Sequence, residues 1–289
     1  MGFLSDWLNE WIKEILVDGI MSNLSALFDD VNAQVGEIAA NVGQTPWAFN
    51  PDVFALVRNL SETVVLPIAG IVLTFVMTWE LIHLIIDRNN LHEIDAWIFF
   101  KWIFKTTLAV LVLSNTFDIV MGIFDLSRQV VNNASGLISG ETAVTPALLA
   151  TFENELTLMD NGALLGLWLQ SIVIKIIVVA MNICVFIIIY GRMIEIFIMT
   201  SLAPLPLATL TSHEMGSVGQ NYLRALLAVG FQGLLIMVCV GIYATLARSI
   251  AVNGDPIGAV WACVGYTALL CFALFKTGSV SKSVFGTSG

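Results

Sequence analysis

The chain has 289 residues, 57% of them hydrophobic and only 12% charged, with a mean hydropathy of +0.87. Soluble domains carry about 25% charged residues to keep their surfaces wet, so this composition excludes an ordinary soluble enzyme and leaves room for several spans of ~20 residues. The net charge of −10 argues against a surface that grips nucleic acid, because each phosphate contact needs a cation.

The first segment is amphipathic. Phe3, Leu4, Trp7, Leu8, Trp11, Ile12, Ile15 and Leu16 recur at helical spacing, with Asp6, Glu10, Lys13, Glu14 and Asp18 on the other face. Trp7 and Trp11 on the apolar side suit a membrane interface. The polar side is acidic, so anionic lipid is not what holds it, and packing between subunits fits equally well. Met1-Gly2-Phe3-Leu4-Ser5-Asp6 lacks a basic start before a continuous apolar core, so no cleavable signal peptide is expected. A weaker helical stretch runs from about Met21 to Val42, and Gly43, Pro46 and Pro51 mark a loop.

Val64–Ile86 is the first convincing span, ending in Trp79, Glu80 and His83 before the polar turn Asp87-Arg88-Asn89-Asn90. Trp97–Phe124 is the second, with Lys101 and Lys105 near its start, placed to snorkel to a cytoplasmic interface. Asp125–Ala163 reads as a long polar connection. Leu164–Tyr190 is the strongest span, with 17 Leu, Ile, Val or Phe residues against one central cation, Lys175. The apolar gain on insertion outweighs the ~3 kcal/mol that a central lysine costs. Met193–Leu210 is apolar but holds Glu195, Pro204 and Pro206, which predicts a half-helix or re-entrant element buried against other helices. Leu226–Ala247 and Ile257–Phe275 complete the spans, and the Gly/Ser-rich tail Lys276–Gly289 is expected to be flexible.

These elements predict an all-α, polytopic helical membrane protein. It has about five transmembrane helices, a proline-broken half-helix and an N-terminal amphipathic helix. With the N-terminus outside and 193–210 not crossing, seven of the Lys and Arg residues fall inside and four outside, as the positive-inside rule prefers. Residues 1–62 (net −7) and the 125–163 connection (net −4) are then extracytoplasmic. Residues 63–124 form the first two spans, 164–275 a C-terminal bundle and 276–289 a cytoplasmic tail.

Chemistry is scarce. Cys184, Cys239, Cys263 and Cys271 lie in apolar runs without metal-ligand spacing, so they read as small buried hydrophobes. Lys276-Thr277-Gly278 and Ser279-Val280-Ser281-Lys282 echo penicillin-binding motifs in the wrong order, and no phosphate-binding loop is present. No catalytic residues, cofactor or metal are expected. Glu80, His83, Gln170, Lys175, Asn182, Glu195 and Gln232 fall in or beside apolar runs. Such groups face a bundle interior, a subunit interface or a watery cavity. They either line a path or pair between helices or subunits, Lys175 with Glu195 being one choice. Gly162 and Gly166, and Gly230, Gly233 and Gly241, allow close helix contact.

The run Tyr190-Gly191-Arg192-Met193-Ile194-Glu195-Ile196-Phe197, leading into Ser201-Leu202-Ala203-Pro204-Leu205-Pro206-Leu207-Ala208, resembles the TrbL family. These are TrbL-like (VirB-six-like) polytopic membrane subunits of conjugative type IV secretion systems, in the form common on mobile elements of Gram-positive bacteria. The tryptophan-bearing acidic N-terminus and Phe99-Phe100-Lys101-Trp102-Ile103-Phe104-Lys105 are similar to that group as well. The resemblance implies an oligomeric channel or scaffold subunit in the bacterial cell membrane, with separate ATPase subunits supplying energy and DNA only as a transported substrate. Some relatives carry a long soluble C-terminal extension, where this chain has a short tail. Lys175, Arg192, Glu195, Pro204, Pro206 and Glu80 are the conduit or interface candidates, and Trp7 and Trp11 the lipid-facing ones. The alternative is a stand-alone solute transporter or ion channel. No inverted repeat of spans supports it.

Overall fold

The computed structural model describes residues 2–86, 96–138, 146–250 and 256–287, and every element in them is helical. In chain order these are α1 (Gly2–Val42), α2 (Pro46–Phe49), α3 (Pro51–Leu60), a π-helical turn (Ser61–Val65) and α4 (Leu66–Ile86). Then follow α5 (Ala96–Ser114), α6 (Thr116–Ile138), α7 (Pro146–Thr157), α8 (Asn161–Leu202), α9 (Pro204–Ala208), α10 (Gly216–Ile250) and α11 (Pro256–Val284). Among the described residues, four helical stretches are long and apolar enough to cross a membrane: Pro51–Ile86, Asn161–Leu202, Gly216–Leu246 and Val264–Val284. The bent pair Phe99–Ser114 and Thr116–Ala134 makes a fifth if counted as one span. The protein is an all-α polytopic membrane protein.

Local chemistry explains where helices start. The Thr45 hydroxyl accepts from the Ala48 N–H and the Asn50 side chain from the Val53 N–H. Pro46 and Pro51 occupy first-turn positions, where a missing N–H leaves no bond unmade. Inside the apolar helices hydroxyls bond back to their own backbone, Thr74 to Gly70 O and Thr107 to Ile103 O, so neither meets lipid unpaired.

The chain forms two compact units, each gathering separate stretches. The first comprises Met1–Val42, Val131–Ile189 and Leu235–Thr277. Its core joins Ile20 and Ile38 of α1 to Leu164 and Ile174 of α8, Ile236 and Met237 of α10, and Leu274 of α11. Within it α1 and α8 run in the same direction. Asn161 Nδ2 donates to Asn9 O at 3.1 Å and Asn23 Nδ2 to Ser171 Oγ at 2.9 Å. At Gly19 a Cβ would stand 2.8 Å from Trp168 Nε1, so the helices touch there through the glycine.

The second unit comprises Gly43–Val130, Tyr190–Leu234 and Gly278–Gly289. One of its clusters packs Val120 and Phe124 of α6 on Met193 and Ile196 of α8 and on Leu226 and Val229 of α10. The other sets Leu73, Val76 and Met77 of α4 against Ala109 and Leu113 of α5 and Ala208 of α9.

Four expectations are corrected. The Trp97–Phe124 span is broken at Asn115, where α5 and α6 meet at 67°. Ser114 Oγ and Asn115 Nδ2 both donate to Leu111 O, and Thr116 Oγ1 donates to Val112 O. Consecutive side chains drawing on preceding carbonyls bend a helix. The polar connection from Asp125 is largely helical, through Ile138 and again in α7. Its residues 139–145, like the Asp87–Asn90 turn, lie outside the described residues. Met193–Leu202 is no separate half-helix but the last turns of α8, which stops only at Pro204. The tail, read as flexible from its serines and glycines, is helical to Val284.

Candidate functional site: buried ion pairs and a proline break

Two prolines separated by one residue set the first feature. Pro204 and Pro206 open α9, the turn 209–215 follows, and α10 begins at Gly216. A Cβ on Gly219 would stand 2.8 Å from both Pro206 O and Leu210 Cα, so the start of α10 lies directly on that turn. Tyr222 closes the joint by donating its hydroxyl to Met199 O.

A reciprocal clasp holds this turn to α4. Glu80, 8% exposed, forms an ion pair with Lys105 of α5 and accepts the His213 N–H at 3.1 Å. In return Glu214 accepts Trp79 Nε1–H at 2.8 Å and lies 3.3 Å from His83 Nε2. Trp102 Nε1 donates to Met77 O at 3.0 Å, adding a second tie between α4 and α5. A buried carboxylate is tolerable only when paired and hydrogen-bonded, and Glu80 has both.

A polar seam runs along α10. Arg192, 7% exposed, donates from Nε to Val229 O and from a terminal nitrogen to Gly230 O, each at 3.2 Å. Ser281 of α11 donates to the adjacent Ala228 O. Three successive carbonyls of one helix thus accept side-chain donors from two others. Gly230 admits close contact, since a Cβ there would meet Ser127 Oγ of α6. Glu195, one turn beyond Arg192, pairs with Lys282 at 3.2 Å.

The first unit is different. Lys175 stands exposed on α8 among exposed Val173, Ile176 and Val179. Trp7 and Trp11 stack at 6.4 Å between ring centroids and are 57% and 50% exposed. Tyr243 and Thr267 share a buried hydrogen bond at 3.0 Å.

The structure therefore brings Arg192 and Glu195 to one seam, and Glu80 to the clasp on the turn that follows Pro204 and Pro206. It does not bring Lys175 to Glu195, whose partner is Lys282. Lys105, read as an interfacial anchor, is the counter-ion of Glu80. Sequence reasoning missed His213, Glu214, Ser281 and Lys282. Continuing helical spacing past Phe275 would have placed Ser281 and Lys282 on adjacent faces of one helix. No local signal marks His213 or Glu214, whose partners lie more than a hundred residues away.

A family model described as TrbL/VirB6 plasmid conjugal transfer like protein matches residues 31–204, more than half of the chain. Comparison with curated proteins and with solved structures returns no match.

Proposed function

The chain belongs to the TrbL/VirB6 plasmid conjugal transfer-like family, and on that footing we propose that it is an integral channel or scaffold subunit of a conjugative type IV secretion system, helping DNA and protein cross the bacterial cell membrane. The observation that carries this reading is the family match itself. It runs from within α1 to the proline opening α9, and so covers Glu80, Lys105, Lys175, Arg192 and Glu195.

The polar groups support a scaffold that is rigid inside. Arg192, Glu195 and Glu80 make bonds within the protein, so they tie helices together rather than present charge to a passing substrate. Pro204 and Pro206 shape the turn that the clasp grips. Lys175 is the exposed one of these candidates and is left to meet a lumen or a neighbour. Trp7 and Trp11 expose a stacked aromatic face suited to the lipid headgroup region. In this reading the N-terminus is outside and the C-terminus cytoplasmic. The subunit is non-catalytic and homo-oligomeric, and it works beside separate ATPase subunits, with DNA as cargo.

The test is deletion of the gene from its element and complementation in trans. Transfer frequency should fall by several orders of magnitude and return with the intact gene. Undiminished transfer would refute the reading, and solute flux through liposomes holding this protein alone would replace it with a stand-alone transporter.

A further inference from the structure

The second unit holds two helix breaks that lie side by side. In the continuous stretch Pro51–Ile86 the α-helix gives way to the π-helical turn Ser61–Val65, where the Leu66 N–H donates to Ser61 O, five residues back. Pro67 follows and has no N–H to give the preceding turn. Such turns and prolines are where long helices bend. The other break is the 67° bend between α5 and α6 at Asn115. Lys105 stands at Glu80, and further along α5 Ala109 and Leu113 pack on residues 69–77 of α4, so the two helices run antiparallel. Asn115 lies ten residues after Lys105, and Gly70 ten before Glu80. At ~1.5 Å per residue both stand about 15 Å from the ion pair, which sets the bend within one turn of Pro67.

On one side of the breaks the chain is anchored. The Phe54 ring of α3 meets Phe117 of α6 edge-on at 5.5 Å, and Arg58 lies over the same Phe117 ring at 5.3 Å. Phe49 of α2 meets Tyr190 of α8 at 4.9 Å, and Val120 and Phe124 of α6 sit in the cluster with α8 and α10. On the other side, no α4 or α5 residue among the described residues enters that cluster. Instead α4 and α5 form one piece, joined by Leu73, Ala109 and Leu113, by the Lys105–Glu80 pair and by the Trp102 bond to Met77 O. This piece meets the rest of the unit through a small apolar contact with Leu205 and Ala208 of α9, and through the clasp at its far end. His83 and Glu214 of the clasp are half-exposed, so water competes for their bonds.

We propose that α4 and α5 form a rigid arm that swings on the paired breaks and is latched shut by the Glu80–His213 and Glu214–Trp79–His83 bonds. A hinge needs a few residues that absorb a change of backbone angle wherever the chain crosses it. Both helices that enter the arm have such a break, and at the same level. Release leaves Glu80 paired with Lys105 inside the arm, so no buried charge is stranded. The freed His213 N–H and Glu214 carboxylate turn to water, and the Leu205–Ala208 face of α9 is uncovered. The device goes beyond the secretion reading and holds whatever the subunit carries.

The test uses the full chain in lipid vesicles, with Cys184, Cys239, Cys263 and Cys271 replaced by alanine and spin labels attached to introduced cysteine pairs at exposed positions. Ile82→Cys with Asn221→Cys spans the clasp, Ile82→Cys with Leu108→Cys lies within the arm, and Asp52→Cys with Leu126→Cys lies within the anchored base. Pulsed electron paramagnetic resonance reads the three distances. Glu214→Ala removes two of the three clasp bonds. It should raise the share of a longer distance across the clasp at least about threefold, with the other two pairs unchanged. Adding Pro67→Ala, which returns a backbone donor to the break, should bring that share back toward the parent value. Lengthening at all three pairs would mean general loosening, and an unchanged clasp distance would mean no swing. Either result overturns the arm, as does a longer distance that Pro67→Ala leaves untouched.

Discussion

The two units of this protein place their charged residues differently. In the second, Glu80, Lys105, Arg192, Glu195, Ser281 and Lys282 bond to one another or to the backbone of neighbouring helices. In the first, the core is an apolar cluster from α1, α6, α7, α8, α10 and α11, and the charge on α8, Lys175, is exposed. Apolar packing gives helices little preference for one another over lipid, whereas a buried hydrogen bond fixes rotation and depth. Both units hold such bonds, Asn23–Ser171 and Tyr243–Thr267 in the first, but the second also closes ion pairs within itself while the first leaves Lys175 on its outer face.

That contrast can be broken most forcefully at Gly219. Gly219→Ala places a Cβ against backbone atoms of residues 206 and 210, which cannot move aside as a side-chain tip could. Destabilisation of about 3 kcal/mol is expected, read as a lowered melting temperature in detergent. Glu80→Gln comes next, at about 2 kcal/mol, because it removes the charge from the Lys105 pair while keeping shape. Adding Lys105→Met should recover part of that loss, since an unpaired ammonium is worse than none. Lys282→Ala opposes a half-exposed Glu195 and should cost no more than about 1 kcal/mol. If Glu80→Gln proved as mild as Lys282→Ala, the clasp would not be a structural tie and the contrast between units would weaken.

Much of this was legible in the sequence, and the parts that were not share a cause. Spans at Val64–Ile86 and Leu164–Tyr190 follow from apolar length, which lipid demands locally. Glu80 and Arg192 stood out because a charge inside an apolar run needs a partner, but the partner's identity is a matter of tertiary distance. Lys282 seemed to belong to a loose tail because serine and glycine dominate its neighbourhood. Those residues are small because α10 lies close, with Gln232 against Gly278 and Ala228 O accepting from Ser281. The bend at Asn115 was hidden because Ser114, Asn115 and Thr116 look tolerable in a helix singly, and only their common demand on preceding carbonyls turns the chain.

The smallest expected effect is the sharpest test of the comparison. Lys175→Ala removes a charge from the middle of the most apolar helix, and hydropathy alone would predict a gain in stability in detergent. The structure places that side chain on the surface, so the isolated subunit should change by no more than about 0.5 kcal/mol in either direction. A loss comparable to that of Glu80→Gln would mean that Lys175 is tied inside its own subunit. The first unit would then tie a charged side chain internally as the second does, and the outer face of α8 would no longer need a neighbour to explain its one charge.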